Sequence, residues 1–332
     1  MNILIFTDRE YSPSRFGGRE ANINDLVIGF QKKNLNPVIF SKRLVSIGHD
    51  QSKQEYPLFS AFDPMIGLPK FIQKYPIHNL LAFVHSGNIL TTINTLPVNS
   101  YICIRDADRL DLFSHPKINN FKFLTQHNYI KEILSGIGVK AHTLPVPIQL
   151  ENYVCETNKR YISVINLSQK KGIDIAIEVA KALPHLPFLF CASPTNSSTE
   201  TNSLAKVCES IPNIKFLSEV KDIKEVYAQT KVIFAPYQWG SSARILTEAQ
   251  ASGIPSVSST ESGLIETVAD AGIIVKKNAT IDEWAKEVLS LYENEDNWLT
   301  SSKNALTKAK IFEKNQKEIF TKFCFELKNK TH

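Results

Sequence analysis

The 332-residue sequence predicts an α/β protein of parallel strands, divided into two successive domains. Three observations predict it. Residues 231–275 read strand, loop, helix, strand, loop, helix, strand in units of about twenty residues, and a helix between two strands returns the chain to the same sheet edge, which makes the strands parallel. Two further βαβ series begin at Asn2 and at Arg160. Between them, Leu144-Pro-Val-Pro-Ile148 and the polar residues to Lys159 read as a linker, because prolines there can extend neither sheet. A chain of this length buries two cores of ordinary size.

In chain order, residues 2–7 form the first strand, ending at Asp8. Turn formers from Tyr11 to Gly18 lead into an amphipathic helix, residues 20–33, with Ile23, Leu26, Val27 and Phe30 on one face. Residues 37–40 are the second strand. Residues 44–76, broken by Pro57, Pro64, Pro69 and Pro76, read as loops with a short helix at 69–74. Strands follow at 80–84, 100–104 and 121–125, then a helix at 129–134 stopped by Gly136 and Gly138. After the linker come a strand at 161–165, a loop at 166–172, a helix at 173–183 and a strand at 188–192. A polar loop, 193–202, is read as mobile; a helix at 203–210, a strand at 214–217 and a helix at 223–230 follow. In the organising stretch, strands at 232–235, 255–258 and 272–275 alternate with helices at 243–251 and 264–269. The end is helical in three pieces, 281–292, 298–310 and 314–327, the last with an Ile319, Phe320, Phe323 stripe read as core.

Composition narrows the class. The hydrophobic fraction of 43% and charged fraction of 21% are those of an ordinary globular protein. No run approaches the roughly eighteen apolar residues of a membrane span. The start, MNILIFTDRE, lacks a basic region before its apolar run and reads as a strand, not a secretion signal. Five cysteines without CxxC spacing read as reduced thiols in a cytoplasm, and no metal site or nucleic-acid partner is expected. Residues 1–150 hold 16 Lys and Arg against 11 Asp and Glu, whereas the rest is balanced at 22 and 22. That basic half favours an anionic acceptor or a peripheral contact with the inner face of a membrane, or is simply a solvated surface.

The stretch 231–275 carries a motif: Pro236, Arg244, Glu248-Ala249, Ala251-Ser252-Gly253-Ile254-Pro255, Gly263-Leu264 and Glu266. It resembles the nucleotide-sugar-binding segment of retaining family-4 glycosyltransferases of the GT-B fold (glycosyl transferases group 1). Gly17-Gly18-Arg19-Glu20 resembles the Gly-Gly-X-Glu loop of that family, and Asn166 to Gly172, with Lys171-Gly172, resembles its Gly-Arg-Leu…Lys-Gly segment. The sequence departs from the pattern at Gly240, where the family has a glutamate, at Ser242-Ala243 for Phe-Gly, and at Asn166 for arginine.

The resemblance implies two facing Rossmann-like domains with a cleft between them, 1–150 on the acceptor side and 160–310 binding the nucleotide, and 311–332 as a helix packing back toward the first. It implies a hexosyltransferase-type reaction with retention, from a UDP- or GDP-linked sugar to a hydroxyl of a glycan or lipid-linked glycan, without a metal, in bacterial surface glycan or glycoconjugate synthesis. By resemblance Lys171, with His85, Arg105 and Asp106, is catalytic; Lys171 stabilises charge growing on the leaving diphosphate, a contribution worth about 10²–10³ in rate. Gly17, Gly18, Asn166, Lys171, Gly240, Ser241, Arg244, Glu248, Ser262, Gly263 and Leu264 contact the donor. Glu248 accepts ribose hydroxyls, as an acceptor-only carboxylate suits; the base pocket falls near 191–220. With the carboxylate at 240 missing, Gln238, Ser241 or Ser242 are the near substitutes.

Rival readings stand beside these. A lone histidine such as His85 is more often structural. Lys171 can be a surface lysine beside Lys170, and Arg244 with Glu266 a structural ion pair. Asp106-Ala107-Asp108 also fits the Asp-X-Asp of metal-dependent GT-A transferases. A catalytically silent partner of an active transferase is the alternative from another class.

Overall fold

The computed structural model describes residues 1–11, 17–43, 56–84, 86–105, 112–113, 120–193, 196–239 and 243–329. They form two units, one of residues 1–148 with 315–332, the other of residues 149–314.

The first unit is a parallel sheet of seven strands: β1 (Asn2–Glu10), β2 (Asn36–Lys42), β3 (Leu58–Ala61), β4 (Ile77–Phe83), β5 (Asn99–Ile104), β6 (Lys122–Thr125) and β7 (Ala141–Thr143). Their order is β3-β2-β1-β4-β5-β6-β7. The helices are α1 (Gly18–Lys32), α2 (Pro64–Lys74), α3 (Asn88–Asn94) and α4 (Asn128–Gly136). Period-two alternation is visible in β1, which is apolar on both faces because both are covered. Ile3 and Ile5 pack with Ile23, Val27 and Phe30 of α1, whereas Leu4 and Phe6 pack with Leu68 and Phe71 of α2 and Leu90 and Ile93 of α3.

The second unit is a parallel sheet of six strands: β8 (Tyr161–Leu167), β9 (Phe188–Ala192), β10 (Ile214–Leu217), β11 (Thr230–Ala235), β12 (Ser256–Ser259) and β13 (Gly272–Val275), in the order β10-β9-β8-β11-β12-β13. Its helices are α5 (Ile173–Ala182), α6 (Ser198–Glu209), α7 (Ile223–Tyr227), α8 (Arg244–Gln250), α9 (Ser262–Val268), α10 (Ile281–Glu293) and the first part of α11 (Glu295–Asn329). One face of this sheet packs on Val179 of α5, Trp284 and Val288 of α10, and Trp298; the other packs on Tyr227, Leu246, Leu264 and Val268.

The architecture is the expected one, two Rossmann-like parallel sheets followed by a long C-terminal helix. Several local readings differ. The stretch read as loops contains β3 and a full α2, whose start is set by Asp63 accepting from the Met65 N–H and by Pro64 at its first position. Pro69 sits inside that helix without ending it. α3 and β7 were not expected, and α6 begins at Ser198 inside the supposed loop, with Ser197 and Glu200 forming a capping box. The last two expected helices are one, α11.

Candidate active site

In the second sheet the strand order reverses between β8 and β11. Segments 168–172 and 236–239 leave the carboxyl ends of those adjacent strands, the place where open parallel sheets receive ligands. The two loops are fastened together. Both the Gln238 and the Trp239 N–H donate to the Lys170 carbonyl, at 3.0 and 3.1 Å. Gly172, at φ 73°, lies so close that a Cβ built on it falls 2.0 Å from the Pro236 oxygen. Lys171 ends a 3-10 turn, Gln169–Lys171, with its Nζ 3.9 Å from the centre of the Tyr237 ring. Lys170 stacks likewise on Trp239, at 3.8 Å. Tyr237 is buried, which raises its hydroxyl pKa.

Asn166 is a backbone feature. Its φ is 64°, at the register shift where Ile165 pairs with Cys191 and Leu167 with Ala192. Asparagine tolerates this left-handed conformation better than most side chains, and such bulges re-aim the loop that follows.

Glu248, on α8, is 4% exposed and lies in a buried polar cluster. Arg244 Nε donates to its Oε1 at 2.5 Å, the Tyr227 hydroxyl donates to its Oε2 at 2.7 Å, and Arg244 Nη2 donates to the Tyr153 hydroxyl at 2.7 Å. Burial first, and then the charge of Glu248, hold the Tyr227 pKa well above its ordinary value, so the phenol stays a donor. An ionised carboxylate has about four lone-pair sites, so acceptor capacity remains for a ligand hydroxyl. The Arg244–Glu248 pair is legible in the i,i+4 spacing, while Tyr153 and Tyr227 carry no motif. Ser252 explains part of the Ala-Ser-Gly phrase. Its Oγ donates to the Tyr153 carbonyl (3.1 Å) and accepts from the Cys155 N–H (2.9 Å), fixing segment 153–155 beside the end of α8.

Ser262 opens α9, and buried Gly263 follows, its carbonyl accepting from Thr267 Oγ1 at 2.8 Å. The Leu264 side chain is fully buried in the core, and its N–H donates to Glu261 O. Glu266 is exposed.

In the first unit the strand order reverses between β1 and β4. Asp8 Oδ2 there accepts from the Ser86 N–H at 3.0 Å, fastening the end of β1 to the segment after β4. Gly17 precedes α1 and Gly18 begins it; a Cβ on Gly18 would meet no atom of the described residues within 4 Å. Buried Glu20 pairs with Arg19, whose Nη2 also donates to Glu10 O at 2.7 Å. Arg105 follows β5 directly and is half-buried. His85, Asp106, Asp108, Gly240, Ser241 and Ser242 lie outside the described residues. Among the described residues, no three His, Cys, Asp or Glu gather where they could hold a metal ion.

Residues 151–311 match the family model for glycosyl transferases group 1. Over 135 residues, 38% of this chain, the sequence is 30% identical to a D-inositol 3-phosphate glycosyltransferase of Corynebacterium kroppenstedtii, and the match spans 30% of that protein's length. In fold, the chain is similar to Anabaena HepE, solved in complex with UDP-glucose, with a TM-score of 0.77 and 14% identity over 99% of both chains. It is also similar to the pneumococcal O-GlcNAc transferase GtfA, solved with UDP and GlcNAc, with a TM-score of 0.76 and 12% identity over 99% of both. These folds are GT-B, so the GT-A reading of Asp106 and Asp108 falls. Two parallel sheets of Rossmann order, the retained phrase from Pro236 to Glu266 and the match over 151–311 lead to one conclusion: residues 151–311 belong to the glycosyl transferases group 1 family, in a chain of GT-B fold.

Proposed function

We propose that this chain transfers a sugar from a nucleoside-diphosphate sugar, UDP-linked as in the complexes of its structural neighbours, to a hydroxyl acceptor with retention at the anomeric carbon. The observation that carries the proposal is the fastened pair of loops at the β8/β11 reversal, where Lys171 sits on the Tyr237 ring. As the glycosidic bond breaks, negative charge grows on the diphosphate. An ammonium held in advance by a ring and a tight turn stabilises that charge without having to reorganise. Glu248, held by Arg244 and Tyr227, receives ribose hydroxyls. The leaving diphosphate takes the acceptor proton on the same face, so no side-chain nucleophile is needed. By the same reading Gly17 and Gly18 contact the donor, and Arg105, with His85 and Asp106, acts in catalysis.

The test is donor hydrolysis and donor binding with wild type and Lys171→Ala. Turnover is expected to drop about 10²–10³-fold with the fold intact. A nucleotide sugar at a hundred times its dissociation constant should add about 2.7 kcal/mol to stability. The second reading, a catalytically silent relative, is favoured by the absence of a carboxylate at Gly240 and by Asn166. It predicts no turnover in wild type and no loss on mutation.

We further propose that the acceptor is a glycan or lipid-linked glycan reached at an anionic membrane surface through α2. Phe62 (69% exposed), Met65 and Ile66 project there beside exposed Lys70 and Lys74. Among the described residues, no helix is long and apolar enough to cross a membrane.

A further inference from the structure

The chain has three tryptophans, and two are used up by the fold. Trp284 is 0% exposed in the core, and Trp298, 4% exposed, donates its Nε1–H to Lys231 O at 2.8 Å. Trp239 is 40% exposed and lies at the β8/β11 reversal. Its backbone N–H is tied to Lys170 O, so the indole projects from a fixed loop, not a free one. One spot therefore presents an aromatic surface and, over successive rings of that loop, two ammonium groups, Lys170 on Trp239 and Lys171 on Tyr237. The ligand chemistry that fits is a ring with an apolar face joined to a diphosphate. Residues 236–243, Pro-Tyr-Gln-Trp-Gly-Ser-Ser-Ala, contain no charged side chain to grip sugar hydroxyls. The amide of Gln238 is already turned inward, its Nε2 donating to Pro236 O at 3.2 Å. Among the described residues of this loop, Trp239 offers a pyranose its indole, against the C–H face of the sugar.

We infer that Trp239 is the platform on which the donor's sugar ring stacks, and so a specificity-determining residue that selects sugars by the breadth of their apolar face. Lys170 moves from the ring face to the diphosphate when the donor enters, since an exposed cation–π contact is weak beside a charge-assisted one. The inference rests on the nucleotide-sugar reading, and its test separates the two.

Because the other tryptophans are buried, emission changes on binding report Trp239. The probe is whichever of UDP-glucose, UDP-N-acetylglucosamine and GDP-mannose raises Tm most, compared with its own nucleoside diphosphate. The nucleotide sugar is expected to change tryptophan emission saturably while the diphosphate alone raises Tm with little change in emission. Trp239→Phe should lose the emission change yet keep the Tm shift. Trp239→Ala should raise the donor KM about tenfold, equivalent to roughly 1.4 kcal/mol, with kcat little altered, as loss of uniform binding requires. An equal emission change with the diphosphate alone would place base or phosphate on the indole and overturn the inference. So would a Tm shift with silent emission. If none of the three sugars raises Tm, the nucleotide-sugar reading itself falls, and this inference with it.

Discussion

Gly172 and Gly18 belong to the same class of loop and make opposite predictions. At Gly172 the backbone is left-handed and an added Cβ meets main chain, Pro236 O at 2.0 Å, which no rotamer change relieves. Gly172→Ala is expected to cost about 2 kcal/mol or more, from the left-handed penalty and the clash together. It should also open the bonds from residues 238 and 239 to Lys170. Gly18→Ala meets no atom of the described residues and should leave stability within about 0.5 kcal/mol, so any effect on donor affinity reports the ligand side. Urea denaturation of both variants checks this; equal stabilities would show that the loop contact yields freely. The buried phenols give a second prediction. Burial raises the pKa of Tyr11, Tyr227 and Tyr237. With folded values above unfolded ones, their stabilising contribution is complete below pH ~10 and is lost above it, at about 1.4 kcal/mol per pH unit for each. In an absorbance titration of the ten tyrosines, these three should ionise only together with alkaline unfolding, and smooth ionisation of all ten in a folded chain would refute it. At this scale Arg244 and Glu248 stand four residues apart and Lys171 lies in a short Lys-Gly phrase, so each could be singled out from a short stretch of sequence. Tyr153 and Tyr227 were not, because they reach Arg244 and Glu248 across 91 and 21 residues.

Among elements, strands buried on both faces were the easiest to read, since runs such as Ile3–Phe6 and Val232–Ala235 admit little else. α3 escaped because Ile-Leu-Thr-Thr-Ile is rich in β-branched residues, and only burial of Ile89, Leu90 and Ile93 against the sheet makes it helical. Only the second half of α2 was read, its start hidden by its prolines, and its outer face carries the next prediction. Phe62, Met65 and Ile66 fall on one side of the helix start, Lys70 and Lys74 follow on the adjoining side, and exposed Arg43, whose N–H donates to Ala61 O, stands beside them. An apolar wedge with a cationic margin suits an anionic bilayer surface. The chain is expected to sediment with phosphatidylserine-containing vesicles more than with phosphatidylcholine ones, and less at high salt. Phe62→Ser with Ile66→Ser should abolish sedimentation. Lys70→Glu or Lys74→Glu should weaken it about fivefold or more, given roughly 1 kcal/mol per basic residue near such a surface. Indifference to lipid charge, or to these variants, would remove α2 from the membrane.

For the whole molecule, α11 was read as two helices and is one, with a change of duty along its length. Trp298, Ala305 and Ala309 are buried in its first part, and Gln316, Phe320, Phe323, Cys324 and Leu327 in its second. Gln316, inside the last expected helix, is buried at the start of that second part. Gln316 is satisfied by a two-way clasp on Ile148, accepting from its N–H and donating to its carbonyl, both at 2.8 Å. The second part completes the core of the first unit, where Phe320 stacks on Phe30 with ring centres 5.0 Å apart and Phe323 meets Tyr101 at 5.4 Å. Two phenylalanines and a leucine at about 1.5–3 kcal/mol each amount to much of the stability of an ordinary domain, about 5–15 kcal/mol. Ending the chain after Lys314 should therefore unfold the first unit at moderate temperature and spare the second, which keeps its own two cores. The two are separable by probe, because Trp239, Trp284 and Trp298 all belong to the second unit while circular dichroism reports both. In the truncated chain, a large part of the helical signal should be lost well below the tryptophan transition. If both signals instead fell together at the wild-type temperature, the last turns of α11 would be dispensable; if both fell together at a lower one, the units would be thermodynamically one.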